Sequence, residues 1–221
     1  MKKTIVIIGA GKGISFQAAK TFGAKGFNVA LISRTQESLE KLEQNLASQK
    51  INAKGFQGDV SSPASLRKAL RSVRAAFGET IDVLLYNAAS IKPGNPTTIS
   101  PEDFVYDFKV NTAGALTAVQ EVLPDLEARA GSILLTGGGL ALNPYAEYAS
   151  LSVGKAALRN LAYSLNQELS PKGVYAGTLT INGFVQEDTY FSAEKIAEAI
   201  HDMHIDRKNA EVVYGQEEKS Q

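Results

Sequence analysis

Along the chain, short runs of apolar, often β-branched residues alternate with longer stretches whose apolar positions recur every three or four residues. The short runs predict strands at residues 4–8, 28–33, 52–57, 81–86, 132–136, 175–181 and 211–214. The longer stretches predict helices between them. Thr35 is placed to cap a helix over 36–49, and Ser62-Pro63 opens the next. Ser100-Pro101-Glu102-Asp103 reads as a capping box with proline at the first helical position, opening a helical region through 129. Apolar strands joined by helical crossovers predict a mostly parallel seven-stranded sheet covered on both faces. Right-handed crossovers then restrict the topology to a doubly wound α/β domain over residues 1–215. In such a sheet a ligand sits beyond the carboxyl ends of the strands, where the strand order reverses. Residues 216–221 read as a flexible tail.

Composition narrows the chemistry. The 221 residues, 44% hydrophobic, are enough to bury a core as one soluble domain. The absence of cysteine excludes disulfides, thiolate metal sites and a cysteine nucleophile. Twenty-three basic side chains balance 23 acidic ones without a long run of one sign, so neither nucleic acid nor an anionic membrane is an expected partner. The apolar run Ile5-Val6-Ile7-Ile8 stops at Gly9, too short for a signal-peptide core or a membrane span, and the expected compartment is the cytoplasm.

Immediately after the first strand comes Gly9-Ala10-Gly11-Lys12-Gly13-Ile14-Ser15, followed by an amphipathic stretch through Lys25. Glycines at such a turn let backbone amides approach a pyrophosphate, while the helix that follows offers its free N–H groups and positive dipole end. The bland alternative is a glycine-rich turn without a ligand. Dinucleotide folds place an acidic residue about 20 positions on, against the adenosine ribose. Here that count reaches Ser33, followed by Arg34. No carboxylate repels a 2′-phosphate, and Arg34, with Lys12 nearby, is suited to pair with one. NADP(H) is therefore expected over NAD(H), unless Arg34 is simply a solvated residue at a helix start.

These residues and those that follow make the chain similar to the short-chain dehydrogenase/reductase family over nearly its whole length, with a Rossmann-type fold implied. Gly9 and Gly13 match the family's glycine loop, with Ser15 in place of its last glycine. Asp59-Val60 resembles the adenine-contacting pair, and Asn87-Ala88-Ala89 the element after the fourth strand. Val110-Asn111 resembles the segment of the active-site asparagine, and Lys155-Ala156-Ala157-Leu158 the end of the catalytic Tyr-x-x-x-Lys helix. Asn182-Gly183 stands where the family has Pro-Gly, whose following groups, here including Val185, hold the nicotinamide. The resemblance implies hydride transfer assisted by a tyrosine acid, a lysine that binds ribose and lowers the tyrosine pKa, a polarising serine and an asparagine.

Two of those four positions depart from the pattern. The tyrosine position is Leu151 and the serine position is Gly138, so Asn111 and Lys155 remain as half of a site. Tyr148, seven residues before Lys155, shares its helical face to within about 20° but is displaced toward the N-terminus; packing is the competing reading. Tyr145, Tyr190, Ser150, Ser152 and Thr136 are weaker hydroxyl candidates. His201 and His204 read as surface or edge residues, and no metal is expected. The segment 184–191 makes a short lid in which Phe184, Tyr190 and Phe191 are available to cover an apolar ligand. Three functions stay open: an NADPH-dependent reductase of a small carbonyl or hydroxyl compound, a catalytically silent NADP(H)-binding sensor or partner subunit, and a scaffold that has lost its nucleotide. The resemblance implies a homodimer or homotetramer formed through residues 101–129 and 145–169.

Overall fold

The computed structural model describes residues 2–78 and 80–215. Its elements run β1 (Thr4–Ile8), α1 (Ile14–Ala24), β2 (Asn28–Ser33), α2 (Gln36–Ser48), β3 (Ala53–Gln57), α3 (Pro63–Phe77), β4 (Val83–Tyr86), α4 (Pro101–Phe108), α5 (Gly114–Arg129), β5 (Ser132–Thr136), α6 (Ala149–Leu169), β6 (Tyr175–Ile181), α7 (Ala193–Asp206) and β7 (Glu211–Tyr214). The strands pair in parallel in the order β3-β2-β1-β4-β5-β6-β7. Winding reverses between β1 and β4, which opens a crevice at their carboxyl ends.

Alternation along each strand feeds two cores. Ile5 and Ile7 face one side, where they join Phe22 of α1 and Ile196 and Ile200 of α7. Val6 and Ile8 face the other, with Leu66 and Leu70 of α3, Val119 of α5 and Leu158 of α6. Burying each such side chain contributes about 1.5–3 kcal/mol, so the central strands are held from both faces.

Most element boundaries follow the hydrophobic pattern, and the exceptions have physical causes. The strand expected to begin at residue 81 starts at Val83; Asp82 stands at its entry, where its carboxylate accepts the Thr4 amide at 2.8 Å and the Arg129 guanidinium at 3.1 Å. Thr35 stands at the N-cap of α2 without a side-chain cap bond, whereas Ser62 and Ser100 do cap α3 and α4. The helical region expected over 101–129 is divided by a π turn, Lys109–Ala113, in which the consecutive residues Val110, Asn111 and Thr112 are all buried. No described helix is long and apolar enough to cross a membrane. The expected tail, 216–221, lies outside the described residues.

Candidate functional site

The chain leaves β1 through Gly9, whose φ of +84° and proximity to β4 both require glycine: a Cβ there would lie 2.5 Å from Ala88 Cα. Ser15 then fastens this turn. Its Oγ donates to the Gly9 carbonyl at 2.8 Å and accepts from Asn87 Nδ2 at 2.8 Å, so the loop, α1 and the end of β4 share one hydrogen-bonded chain. The sequence marks Ser15 only as small; its partner lies 72 residues away. Gly11 and Gly13 present the opposite case. Neither has a positive φ, and a Cβ added to either meets no protein atom within 4 Å. Space is therefore open before α1, whose N-cap Gly13 offers no side chain and whose first turn contains no acidic residue. Uncapped amides and a positive dipole end face that space.

Two clefts extend from this loop. The first, about 510 Å³, is lined by Ser33, Arg34, Asp59, Val60, Asn87 and Ala88 at the ends of β2, β3 and β4. Ser33 Oγ is buried there without a hydrogen-bond partner. Asp59 is oriented by Ser61, whose amide and hydroxyl donate to its Oδ1 at 2.9 and 2.7 Å. Lys12 is exposed on the loop and lines neither cleft.

The second cleft, about 840 Å³, lies beyond Gly11, Gly13 and Ile14 and reaches Lys155. Lys155 is buried, and its Nζ donates to the Thr136 carbonyl at 2.6 Å. Burial lowers its pKa from 10.5 to about 8. Leu151 lines the cleft one helical turn earlier. Gly138 lies against the lysine stem, where an added Cβ would stand 3.8 Å from its methylene carbons. Gly183, Phe184 and Val185 bound the cleft after β6.

Tyr148 also lines the cleft, but it is the N-cap of α6 with φ −130° and ψ 47°, outside the helix. The expectation that it shares a helical face with Lys155 is therefore corrected. Its backbone is pinned instead to the loop after β4, with Gly94 N donating to Glu147 O at 2.7 Å and Ala149 N to Gly94 O at 3.2 Å. The two helical serines are engaged elsewhere: Ser150 Oγ donates to Asp107 at 2.7 Å, and Ser152 Oγ accepts from the Tyr145 amide at 3.3 Å. Thr136 Oγ1 is buried without a partner.

Asn111 sits in the π turn, nearly inaccessible, and does not line either cleft. Its Oδ1 accepts from the Ser90 amide at 2.7 Å, while Nδ2 has no partner. Gly154 lets α6 approach closely, since a Cβ there would lie 2.5 Å from Asn111 Cβ. Asp107 was not anticipated. Buried beside this turn, it accepts from Ser90 and Ser150 and ties α4 to the cleft-lining loop and to α6.

Two expectations about aromatic residues also change. Only Phe184 of the lid aromatics lines the cleft; Phe191 packs on Gly183, and Tyr190 stacks on Tyr214 at 4.7 Å. His204 is not a surface residue. It is buried between Phe22 and Phe27, with Nδ1 2.8 Å from Ser132 Oγ, because α7 turns its apolar face onto the sheet. Among the described residues no group of three or more metal-ligating side chains forms.

A glycine turn after β1, a crevice at the strand reversal and a buried lysine on α6 agree with a sequence match: the profile described as short chain dehydrogenase covers residues 3–191. The chain belongs to the short chain dehydrogenase family. An oxidoreductase of Sarocladium schorii, asL5, is 32% identical over 80% of this chain and 70% of its own length. The 2,3-dihydro-2,3-dihydroxybenzoate dehydrogenase of Bacillus subtilis is 29% identical over 76% of this chain, which spans 64% of that relative. The fold superposes on an actinorhodin polyketide ketoreductase solved with NADPH, with TM-score 0.89 at 18% identity over 96% of this chain and 95% of that one. An alcohol dehydrogenase from the archaeon Thermococcus sibiricus, complexed with 5-hydroxy-NADP, gives 0.83 at 24% identity, covering 99% and 100%. Within this short chain dehydrogenase chain, Leu151 and Gly138 both line the cleft that reaches Lys155.

Proposed function

We propose that the protein is an NADP(H)-binding oxidoreductase that exchanges hydride with a small carbonyl or hydroxyl compound and takes the accompanying proton from a source other than the family's tyrosine. The observation that carries this reading is Lys155, buried on the wall of the second cleft with Leu151 one helical turn before it. The cleft suits a dinucleotide. Gly11 and Gly13 leave the space before α1 that phosphates would fill, and Ser33 Oγ is a buried polar atom awaiting a partner. Arg34 beside it favours a 2′-phosphate. Two solved proteins of this fold carry NADPH and 5-hydroxy-NADP, which supports the same cofactor class here.

When bound, the cofactor supplies or accepts the hydride. The chain's own contribution is to hold it: α1 amides would meet the phosphates, and Asn87, Ser15 and Gly9 fasten the loop that presents them. Ser33, Arg34, Asp59, Val60 and Ala88, which line the first cleft, would hold the adenosine end, and Gly183 and Val185, which line the second, the other. Among the described residues, Lys155 contributes the sole charge lining the second cleft. A homo-oligomer belongs to the same proposal, supported by the exposed Val105, Phe108, Leu116 and Val153 on α4, α5 and α6, as does a cytoplasmic location.

The test is thermal unfolding with NADPH against NADH. NADPH at a hundred times its dissociation constant adds about 2.7 kcal/mol of stability. Equal shifts defeat the NADP preference, and no shift with either defeats cofactor binding. A second reading, a silent NADP(H) sensor or partner subunit, is favoured by Leu151 and Gly138; binding without turnover across a carbonyl panel would select it.

A further inference from the structure

We infer that the acceptor at this site is a quinone, an apolar ring whose two-electron reduction needs no proton from the enzyme. The inference rests on the proposed NADP(H) reading and names the substrate class of that same cleft. The cleft that holds Lys155 is lined by the apolar Ile91, Leu140, Leu151, Phe184 and Val185 and by the uncharged polar Asn143, Tyr145, Tyr148 and Asn182, and Lys155 is the only charged side chain among the lining residues. Phe184 and Ile91 are exposed at its mouth, 81% and 69% accessible. Exposed apolar side chains converging on a cleft mark an apolar ligand rather than a sugar or a carboxylate.

The proton arithmetic selects within that class. Hydride added to an isolated ketone leaves an alkoxide about as basic as hydroxide, whose conjugate acid has pKa about 15.7, so a general acid must stand at the oxygen. Leucine at 151 and glycine at 138 supply none beside Lys155, and the tyrosines that line the cleft, Tyr145 and Tyr148, lie three or more residues before Leu151 and outside α6. A quinone behaves differently. As the C–H bond of the reduced nicotinamide breaks, an O–H bond forms on one quinone oxygen and the electron pair passes into the ring, which becomes aromatic. The second oxygen keeps the negative charge as a phenolate, comparable to tyrosinate with pKa about 10, and takes its proton from water after leaving. The nicotinamide is oxidised by two electrons and the quinone is reduced by two, with one external proton consumed.

Lys155 distinguishes quinones from the other acceptors that need no enzyme acid. Its Nζ is bonded to the neutral Thr136 carbonyl, and among the described residues no carboxylate lies within ion-pair distance. A buried cation of this kind stabilises an acceptor that becomes an anion and opposes an iminium ion, which enters as a cation.

The experiment has two stages on the full chain. First, the NADPH-induced thermal shift is measured; absence of a shift overturns the cofactor reading and this inference with it. Next, NADPH consumption above the uncatalysed background is compared for menadione, cyclohexanone and an N-methylated dihydroisoquinolinium ion. The inference expects kcat/KM for menadione to exceed that for either other acceptor by at least about a hundred-fold. NADPH binding with no menadione turnover, or with ketone turnover equal to it, overturns the quinone assignment and leaves cofactor binding standing. Menadione binding to the NADP⁺-loaded protein gives a readout independent of turnover. Phe184→Asp and Ile91→Asp should each weaken it about tenfold without changing the melting temperature of the free protein, since both side chains are exposed. Unchanged menadione affinity in both variants would overturn the placement.

Discussion

Lys155 Nζ is held by the carbonyl oxygen of Thr136 at 2.6 Å, so the buried cation of the cleft is matched by a backbone dipole and not by an opposing charge. Desolvation then dominates and lowers its pKa from 10.5 to about 8.

The consequence for stability has a definite sign. Because the folded pKa is below the unfolded one, the unfolded chain binds more protons between pH about 8 and 10.5, and this lysine's contribution becomes more favourable as pH rises through that window. Relative to Lys155→Met, wild type should gain up to about 3 kcal/mol across it. Urea unfolding of both proteins at the two ends of the window checks this. A constant difference would mean that Nζ is well solvated.

Gly138 and Leu151 define a gain-of-function prediction. Gly138 is extended, with φ −166°, and the nearest atoms to an added Cβ are Lys155 methylenes at an ordinary 3.8 Å, so serine fits without strain. Leu151 is 7% exposed and already lines the cleft. The double variant Gly138→Ser/Leu151→Tyr should raise NADPH-dependent ketone reduction by about a hundred-fold to ten-thousand-fold. Steady-state assays with cyclohexanone check it. No gain in a protein that still binds NADPH would show that a different defect limits hydride transfer.

The sheet was readable from sequence because β1, β2, β4, β5 and β6 are buried on both faces and so print continuous apolar runs. The glycine turn was readable for the same reason, since Gly9 follows such a run directly. Side-chain partners separated by long stretches of chain were not. Ser15 finds Asn87, and Asp107 finds Ser90 and Ser150, only after the crossovers bring the strand ends together. The π turn at Asn111 was hidden because a single wide turn of five residues is too short to print a period of its own. Tyr148 was misjudged by extending the α6 period across a cap.

Cofactor choice should reside in Ser33 and Arg34. The unpartnered Ser33 Oγ and the Arg34 beside it line one cleft, and no acidic residue occupies position 33. The double variant Ser33→Asp/Arg34→Ile should move the larger thermal shift from NADPH to NADH, with NADPH affinity falling at least about tenfold through loss of a charge-assisted pair worth about 1.5–3 kcal/mol. Titration of both dinucleotides measures it. Retention of NADPH preference would assign the 2′-phosphate to another cation, with Lys12 the first to substitute.

The glycine loop predicts two graded losses. Ser15→Ala removes the hydroxyl shared by Gly9 and Asn87 and should cost about 1–3 kcal/mol. Gly9→Ala should cost more, because φ is +84° and its Cβ would lie 2.5 Å from Ala88 Cα. Denaturant unfolding ranks them. A smaller loss for Gly9→Ala than for Ser15→Ala would contradict the close approach of β1 to β4.

His204 should add to the acid sensitivity of the fold. Burial, reinforced by the charges of Arg207, Lys3 and His201 and opposed by Asp82, lowers its pKa from 6.5 to about 4. In the unfolded chain it protonates first, so its contribution to stability is intact above pH 6.5 and is lost as pH falls from 6.5 toward 4. His204→Gln removes that titration while keeping a polar atom available to Ser132, whose hydroxyl lies 2.8 Å from Nδ1. The variant should be less stable than wild type at neutral pH and should lose less stability across the acid window. Melting temperatures of both proteins between pH about 7 and about 4.5 decide the matter, and parallel curves would place the acid sensitivity in the carboxylates instead.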